Sequence, residues 1–227
     1  MRRLIPDPLV ELQRADLPAA YADPRRQRSG GRPWLMMNMI TSADGASTLD
    51  DASGGLGGPA DRAVFSVIRS LADVILVGAA TVRAEHYGPP SKPGQRVAVV
   101  SRSGVLDWDS ELFTSGAGIA VLPEDGPDVP ASAVVRAGVG SVDLATVLQR
   151  LPGDVVLAEG GPSLNGQLAA AGLVEELCLT VAPRIVGGTA GRIVTGPPAA
   201  MPMLELAHVL EDDGFLFCRY LRPEPPA

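Results

Sequence analysis

Short apolar runs, each the length of one strand, alternate through the middle of this chain with stretches of helical period. That alternation narrows the fold more than any other feature. Residues 34–40 and 74–77, Arg96–Val100, Gly118–Leu122 and Val155–Ala158 read as buried strands. Between them, 61–71 carries Val64, Val67, Ile68 and Leu71 at i, i+3, i+4 and i+7, one face of a helix. Pro59 stands just ahead of it, where a first helical turn accepts proline. A brief helix is predicted at 81–86. Asp143 is placed to cap another that reaches Leu151, and 162–171 forms a further one that Gly172 ends. Strands and helices in this order build a mainly parallel sheet with helices on its faces. The end differs: 176–181, 204–210 and Phe215–Leu221 are strand-like with no helix between them. Asp212-Asp213-Gly214 joins the last two as a hairpin turn. The predicted class is α/β, a mostly parallel central sheet finishing in an antiparallel hairpin.

Aromatic residues make up only 4% of the 227 against 46% apolar, so the core must be mainly Val, Leu, Ile and Ala. Residues 1–33, rich in Arg, Pro, Asp and Gly, read as a partly flexible N-terminal extension outside the core. The folded domain then spans 34–222, with 223–227 a tail. Cys178 and Cys218 lie in apolar segments and read as reduced core thiols, a disulfide being unneeded at this size. His86 and His208 have no partner at metal-ligand spacing, so no metal is expected. The net charge of −7 argues against a nucleic-acid surface, although backbone dipoles hold anionic ligands on acidic proteins too. No apolar run approaches the roughly 20 residues that cross a bilayer. The start, Met1-Arg2-Arg3-Leu4-Ile5, lacks the apolar stretch of a signal peptide. A cytoplasmic protein without a membrane partner is expected.

Five clusters carry chemistry. In Glu159-Gly160-Gly161-Pro162-Ser163-Leu164-Asn165-Gly166 a buried strand runs through two glycines into a helix. The glycines admit close backbone approach, Pro162 suits the first helical turn, and the free amides there favour a phosphate or pyrophosphate. Ser163 and Asn165 are placed to add side-chain bonds. Glu159 stands at the carboxyl end of a strand, where parallel sheets bind ligands, or else it is a surface acid or helix cap. An ordinary tight turn is the alternative for the whole stretch, since neither Gly-x-Gly-x-x-Gly nor Gly-Lys-Ser/Thr is present. Thr41-Ser42-Ala43-Asp44-Gly45 follows the first strand. Ser42 and Asp44 point one way, toward a cleft in which a carboxylate orients a heterocycle or relays a proton, or they form an Asx-turn. Ser53-Gly54-Gly55-Leu56-Gly57-Gly58 is a glycine loop able to approach a ligand. It precedes Arg62 and Arg69, which share a helix face and either meet a substrate phosphate or face solvent. Thr81, after Val77-Gly78, is placed to bond a ribose or pyrophosphate. Ser101-Arg102-Ser103 suits the 2′-phosphate that separates NADP from NAD, or is a plain polar turn.

Taken in order, these clusters resemble one family, the reductase domain of the bifunctional riboflavin-biosynthesis deaminase-reductase. The motifs are Ser-x-Asp-Gly, Ser-Gly-Gly-x-x-Gly-Pro-x-Asp-Arg, Leu-Ala-Asp-Val-Ile-Leu-Val-Gly-Ala-x-Thr-Val-Arg, Glu-Gly-Gly-Pro-x-Leu-x-Gly and Glu-Glu-Leu-Cys-Leu-Thr-x-Ala-Pro. The resemblance runs from about Trp34 to Leu221. It implies a dihydrofolate-reductase-like fold and NADPH-dependent reduction of 5-amino-6-(5-phosphoribosylamino)uracil, with hydride passing to C1′ of the ring-opened sugar imine. It also implies that Gly160, Gly161, Ser163, Leu164 and Asn165 hold the pyrophosphate, that Thr81 and Glu85 line the cofactor site, and that Ser53, Arg69 and Glu159 line the substrate site. Asp44 matches the family's aspartate in the cleft and, with Glu159, is the candidate catalytic pair. Asn38, on the substrate side, stands where the bifunctional form has lysine, and the stretch after His86 lacks the expected arginine. No His-x-Glu or Pro-Cys-x-x-Cys occurs, so the preceding deamination is not expected of this chain. The rival readings are reduction of dihydrofolate or another pterin in the same cleft, and NADPH binding without catalysis. A homodimer is expected from the family, with Met201-Pro202-Met203-Leu204 either its interface or core.

Overall fold

The computed structural model describes residues 1–6, 10–48, 54–196 and 203–223. In chain order the elements are β1 (Arg2–Ile5), β2 (Val10–Glu11), α1 (Leu17–Ala20), β3 (Trp34–Ser42), α2 (Pro59–Leu71), β4 (Val74–Gly78), α3 (Ala79–Ala84), β5 (Arg96–Val100) and α4 (Glu111–Thr114). Then follow β6 (Gly118–Leu122), β7 (Val134–Arg136), α5 (Leu144–Arg150), β8 (Val155–Ala158), α6 (Pro162–Ala170), β9 (Glu176–Ala182), β10 (Glu205–Asp212) and β11 (Phe215–Leu221). The strands form one sheet in the order β2-β1-β10-β11-β9-β3-β8-β4-β5-β6-β7. From β9 to β7 every pairing is parallel; from β2 to β9 every pairing is antiparallel.

The two halves differ because their burial differs. All of β8 and β6 is buried, as strands covered on both faces must be. Strands β9 and β11 alternate buried and part-exposed residues instead. One face of the sheet packs Met37, Leu76, Val121 and Val156 against Val147, Leu148, Leu164 and Leu168 of α5 and α6. The other packs Met36, Leu157 and Phe217 against Leu17, Val64 and Ile68 of α1 and α2. Farther along, Ile75, Val77 and Val99 meet Leu112 and Phe113 of α4.

Local signals set the ends. Gly58 and Pro59 open α2. Asp143 caps α5, its carboxylate accepting from the amides of Ala145 and Thr146 at 3.1 and 3.3 Å. Asp213 and Gly214 join β10 to β11 with φ of +51° and +78°, the two-residue hairpin expected there. Both cysteines are free, Cys178 buried and Cys218 half-buried. Strand β7 and helix α4 lacked a visible period, both being too short to show one.

The N-terminal expectation is corrected. Residues 1–33 are not an extension outside the core, and the fold does not begin at Trp34. Strand β1 pairs with β10, and Leu17 and Tyr21 are each 1% exposed. The segment hides from hydrophobic periodicity because charge holds much of it. Arg26 donates to the fully buried Glu176 carboxylate from Nε and Nη2, at 2.9 and 2.7 Å. Arg219 Nε reaches the same carboxylate at 2.7 Å and its Nη2 reaches Asp23 at 2.6 Å. Among the described residues, no helix is long and apolar enough to cross a membrane.

Candidate active site

Strand order brings distant turns together. β8 lies between β3 and β4, and β5 lies beyond β4, so the turns after all four strands open at one edge of the sheet. The turns after β8 and β4 touch. The Gly78 amide donates to the Gly160 carbonyl at 2.7 Å. A Cβ on Gly161 would stand 2.8 Å from the Thr81 hydroxyl oxygen, and one on Gly78 3.3 Å from the Gly161 nitrogen. Gly160 has φ +92°, a conformation glycine alone takes readily, and the Gly160–Gly161 peptide is cis. Gly161 caps α6 without a side chain and Pro162 opens it. The amides of Ser163 and Leu164 therefore lack intrahelical acceptors at the positive end of the helix dipole. Ser163 is exposed, and Thr81 stands half-buried beside Gly161. The helix start thus presents main-chain amides that no side chain caps, a geometry of the kind that favours an anion.

Of the candidate substrate-side residues, Arg69 is the one that meets Glu159. Val155 and Leu157 of β8 point toward α2, and Glu159, next in that alternation, points the same way. Arg69 of α2 grips its carboxylate with both prongs, Nε to Oε1 at 3.0 Å and Nη2 to Oε2 at 2.9 Å. The Tyr87 hydroxyl donates to Oε2 at 2.5 Å. The guanidinium lies 5.1 Å from the Phe65 ring and 5.4 Å from the Tyr87 ring. Only 3% of the Glu159 side chain is exposed against 32% of Arg69, so the arginine presents its outer edge and the carboxylate stands behind it. Burial pushes the Glu159 carboxyl above its ordinary value, opposed by the Arg69 charge and by hydrogen bonds from Tyr87 and Arg69. Tyr87 is held well above its ordinary value, chiefly by burial and then by the Glu159 charge, so it stays protonated and a donor.

Several candidate residues have other employment. The Ser42 hydroxyl, buried, donates to Asp44 Oδ1 at 2.5 Å and accepts from the Ala46 amide at 2.9 Å, so it is occupied within its own turn. Asp44 is exposed and takes the amides of Val186 at 3.1 Å and Gly187 at 2.7 Å. The Ser42 hydroxyl first, then the amides of Gly187 and Val186, lower its carboxyl to about 2. It is thus ionised at neutral pH and clamps the segment after β9. The same segment is held by Ser47, whose amide and hydroxyl both reach the Gly191 carbonyl at 2.9 Å. At its far end Thr195 donates to the Pro162 carbonyl at 3.1 Å. Asn165 is fully buried; its amide group donates to the Ile193 carbonyl at 2.8 Å, and its backbone N–H is used by Gly161. It holds this strap by its amide nitrogen, while its Oδ1 is buried with no hydrogen-bond partner among the described residues. Leu164 is a buried core residue that offers only its amide. The Ser101 hydroxyl is spent inside its turn, accepting from the Gly104 amide at 3.0 Å, while Arg102 is exposed beside it.

Glu85 caps the end of α3 and acts electrostatically on Tyr87. Asn38 is half-buried on β3, opposite Cys178. Arg62 is exposed and draws on Asp61 rather than joining Arg69 at Glu159. Ser53, Met201 and Pro202 lie outside the described residues. Sequence reasoning missed Tyr87 and Phe65. Phe65 stands four residues before Arg69, a spacing that stacks side chains on a helix; Tyr87 carries no such signal.

The sequence profile of the RibD C-terminal domain family matches residues 33–215. The chain belongs to the RibD C-terminal domain family. All the turns described above fall within the match, while β1, β2 and α1 lie outside it. The 2,5-diamino-6-ribosylamino-4(3H)-pyrimidinone 5′-phosphate reductase of Methanothermobacter thermautotrophicus is 31% identical in a 179-residue alignment that covers 71% of this chain and 82% of that one. Among solved structures, a pyrimidine reductase-like protein of Corynebacterium diphtheriae superposes with TM-score 0.79 at 23% identity, covering 94% of this chain and all of its own. A dihydrofolate reductase from Enterococcus faecalis gives TM-score 0.54 at 13% identity over 84% of this chain and 97% of its own, a likeness of fold. This member of the family therefore has the dihydrofolate-reductase-like architecture expected.

Proposed function

We propose that this chain is an NADPH-dependent pyrimidine reductase. It would reduce the ribosylamino group of a pyrimidine 5′-phosphate, 5-amino-6-(5-phosphoribosylamino)uracil, to the ribitylamino form. One observation carries the reading: the helix start at Gly161–Pro162–Ser163, which no side chain caps, is separated by a single residue, Gly160, from the Glu159 that pairs with Arg69. A diphosphate and a reducible heterocycle are thus offered neighbouring sites.

The fit to a dinucleotide rests on chemistry already in place. Unpartnered amides of Ser163 and Leu164 suit the diphosphate, Thr81 beside them suits a ribose or phosphate oxygen, and exposed Arg102 suits a 2′-phosphate. Bound there, the nicotinamide supplies a hydride. Arg69 offers its outer N–H groups to an oxygen of the substrate, and Glu159 behind it fixes their direction. C1′ of the ring-opened imine gains the hydride and the imine nitrogen gains a proton, leaving an amine. Asp44, ionised and bonded to Ser42, Val186 and Gly187, is assigned no proton in this scheme.

The purified protein should oxidise NADPH when given the phosphoribosylaminouracil, faster than with NADH. The diaminopyrimidinone counterpart and dihydrofolate are the comparison substrates. NADPH binding with no oxidation by any of the three would overturn the assignment. The reading includes a cytoplasmic homodimer, for which Met203, 81% exposed, offers apolar surface. Sedimentation velocity showing a monomer at micromolar concentration would remove that part.

A further inference from the structure

The residues just after α3 belong to no motif, yet they deliver a side chain into the middle of the site. His86 has φ +51°, a left-handed conformation uncommon outside glycine. It turns the chain so that Tyr87 lies against Arg69 and Glu159, and the Tyr87 amide is fixed by the Val82 carbonyl at 3.1 Å. We propose that Tyr87 is the positioning residue of this site, its hydroxyl fixing the Glu159 carboxylate and its ring fixing the Arg69 guanidinium that meets the substrate. The substrate's identity rests on the function proposed above; the positioning does not.

Arg69 spends Nε and one N–H of Nη2 on Glu159, and its remaining N–H groups face outward on a side chain 32% exposed. An exposed arginine ordinarily samples many rotamers. Here a bidentate carboxylate holds one end and two rings hold the faces, leaving a single orientation. The carboxylate needs a hold of its own. Oε2 receives two donors, Arg69 Nη2 at 2.9 Å and the Tyr87 hydroxyl at 2.5 Å. The hydroxyl bond is charge-assisted, roughly twice as strong as a neutral one.

Two groups face Glu159, Arg69 from α2 and Tyr87 from the turn after α3; Glu85 faces Tyr87 in its turn. Burial favours protonated Glu159 and both partners oppose it. Removing the hydroxyl therefore moves Glu159 protonation to higher pH. A protonated Glu159 no longer pairs with Arg69, so activity falls at a higher pH as well.

The test is Tyr87→Phe, which keeps the ring and removes one oxygen. The Glu159 carboxyl is titrated by carbon-13 NMR in ligand-free protein, its signal identified by loss in Glu159→Gln. The expected result is a midpoint about one pH unit higher in Tyr87→Phe. The acid limb of kcat/KM should rise with it, and kcat should fall roughly tenfold, about 1.4 kcal/mol, at unchanged KM for NADPH. In a Glu159→Leu background, Tyr87→Phe should change kcat less than twofold, because no acceptor for the hydroxyl remains there. A carboxyl midpoint identical in wild type and folded Tyr87→Phe would overturn the proposal, as would full additivity of the two substitutions. A wild-type protein inactive on every pyrimidine would count against the proposed function, and the carboxyl titration would still decide on Tyr87.

Discussion

Glu159 and Asp44 are both carboxylates at strand ends, and their surroundings give them opposite work. Glu159 is buried, and burial drives it toward the neutral form; a cation and a phenol hold it charged. Asp44 is exposed, and a hydroxyl with two amides pins it far below its usual range. Removing Arg69 would strand a carboxylate 3% exposed. Arg69→Ala should cost about 2 kcal/mol in urea denaturation, less than a broken fully buried pair because the arginine is partly solvated, and should lower kcat/KM at least a hundredfold. Arg69→Ala with wild-type stability and activity would remove the pair from the site. For Asp44 the sign follows from a depressed folded value. Its contribution is present above the ordinary 3.8 and is lost as pH falls through about 2. Asp44→Asn should therefore be less stable than wild type at neutral pH, with the gap in melting temperature closing as pH falls from 4 toward 2. A gap that stays constant with pH would mean that charge is not what the clamp uses.

At the scale of elements, the glycines of the turns after β4 and β8 are there because two main chains meet. Gly161→Ala puts a Cβ 2.8 Å from the Thr81 hydroxyl oxygen, which must swing away. The expected outcome is a roughly tenfold rise in KM for NADPH, about 1.4 kcal/mol, with melting temperature little changed. Gly166 meets a harder wall: a Cβ there would stand 1.9 Å from the Thr195 carbonyl oxygen. Gly166→Ala should destabilise by about 2 kcal/mol in denaturant titration, because α6 and the strap must part. The alternation of strands and helices, the Asp143 cap and the Asp213-Gly214 hairpin were legible because each is a local pattern of a few residues. So was the glycine turn before α6. The partners of candidate side chains were not. Asp44 binds amides more than 140 residues away, and Arg69 and Glu159 are 90 apart. No periodicity records such pairings. Asn165 read as a ligand residue because polar side chains after a glycine turn usually face out; here the strap covers it.

Over the whole molecule, the sheet is a parallel half that carries the site and an antiparallel half that the N-terminal segment closes. That closure runs through charge, with Arg26, Arg219 and Asp23 about a buried Glu176, and is why composition made residues 1–33 look dispensable. Arg26→Ala should cost about 3 kcal/mol, since it leaves a fully buried carboxylate short of a cation. A chain beginning at Trp34 should lose its cooperative unfolding transition, and a truncated protein with unchanged melting temperature would contradict the closure. The parallel half carries the uncapped start of α6, where a dinucleotide diphosphate is proposed to sit. Nitrogen-15 amide spectra recorded during an NADPH titration test it most directly. The largest shifts are expected at Gly161, Ser163 and Leu164, with Thr81 following. Saturable shifts elsewhere with those amides unmoved would contradict it.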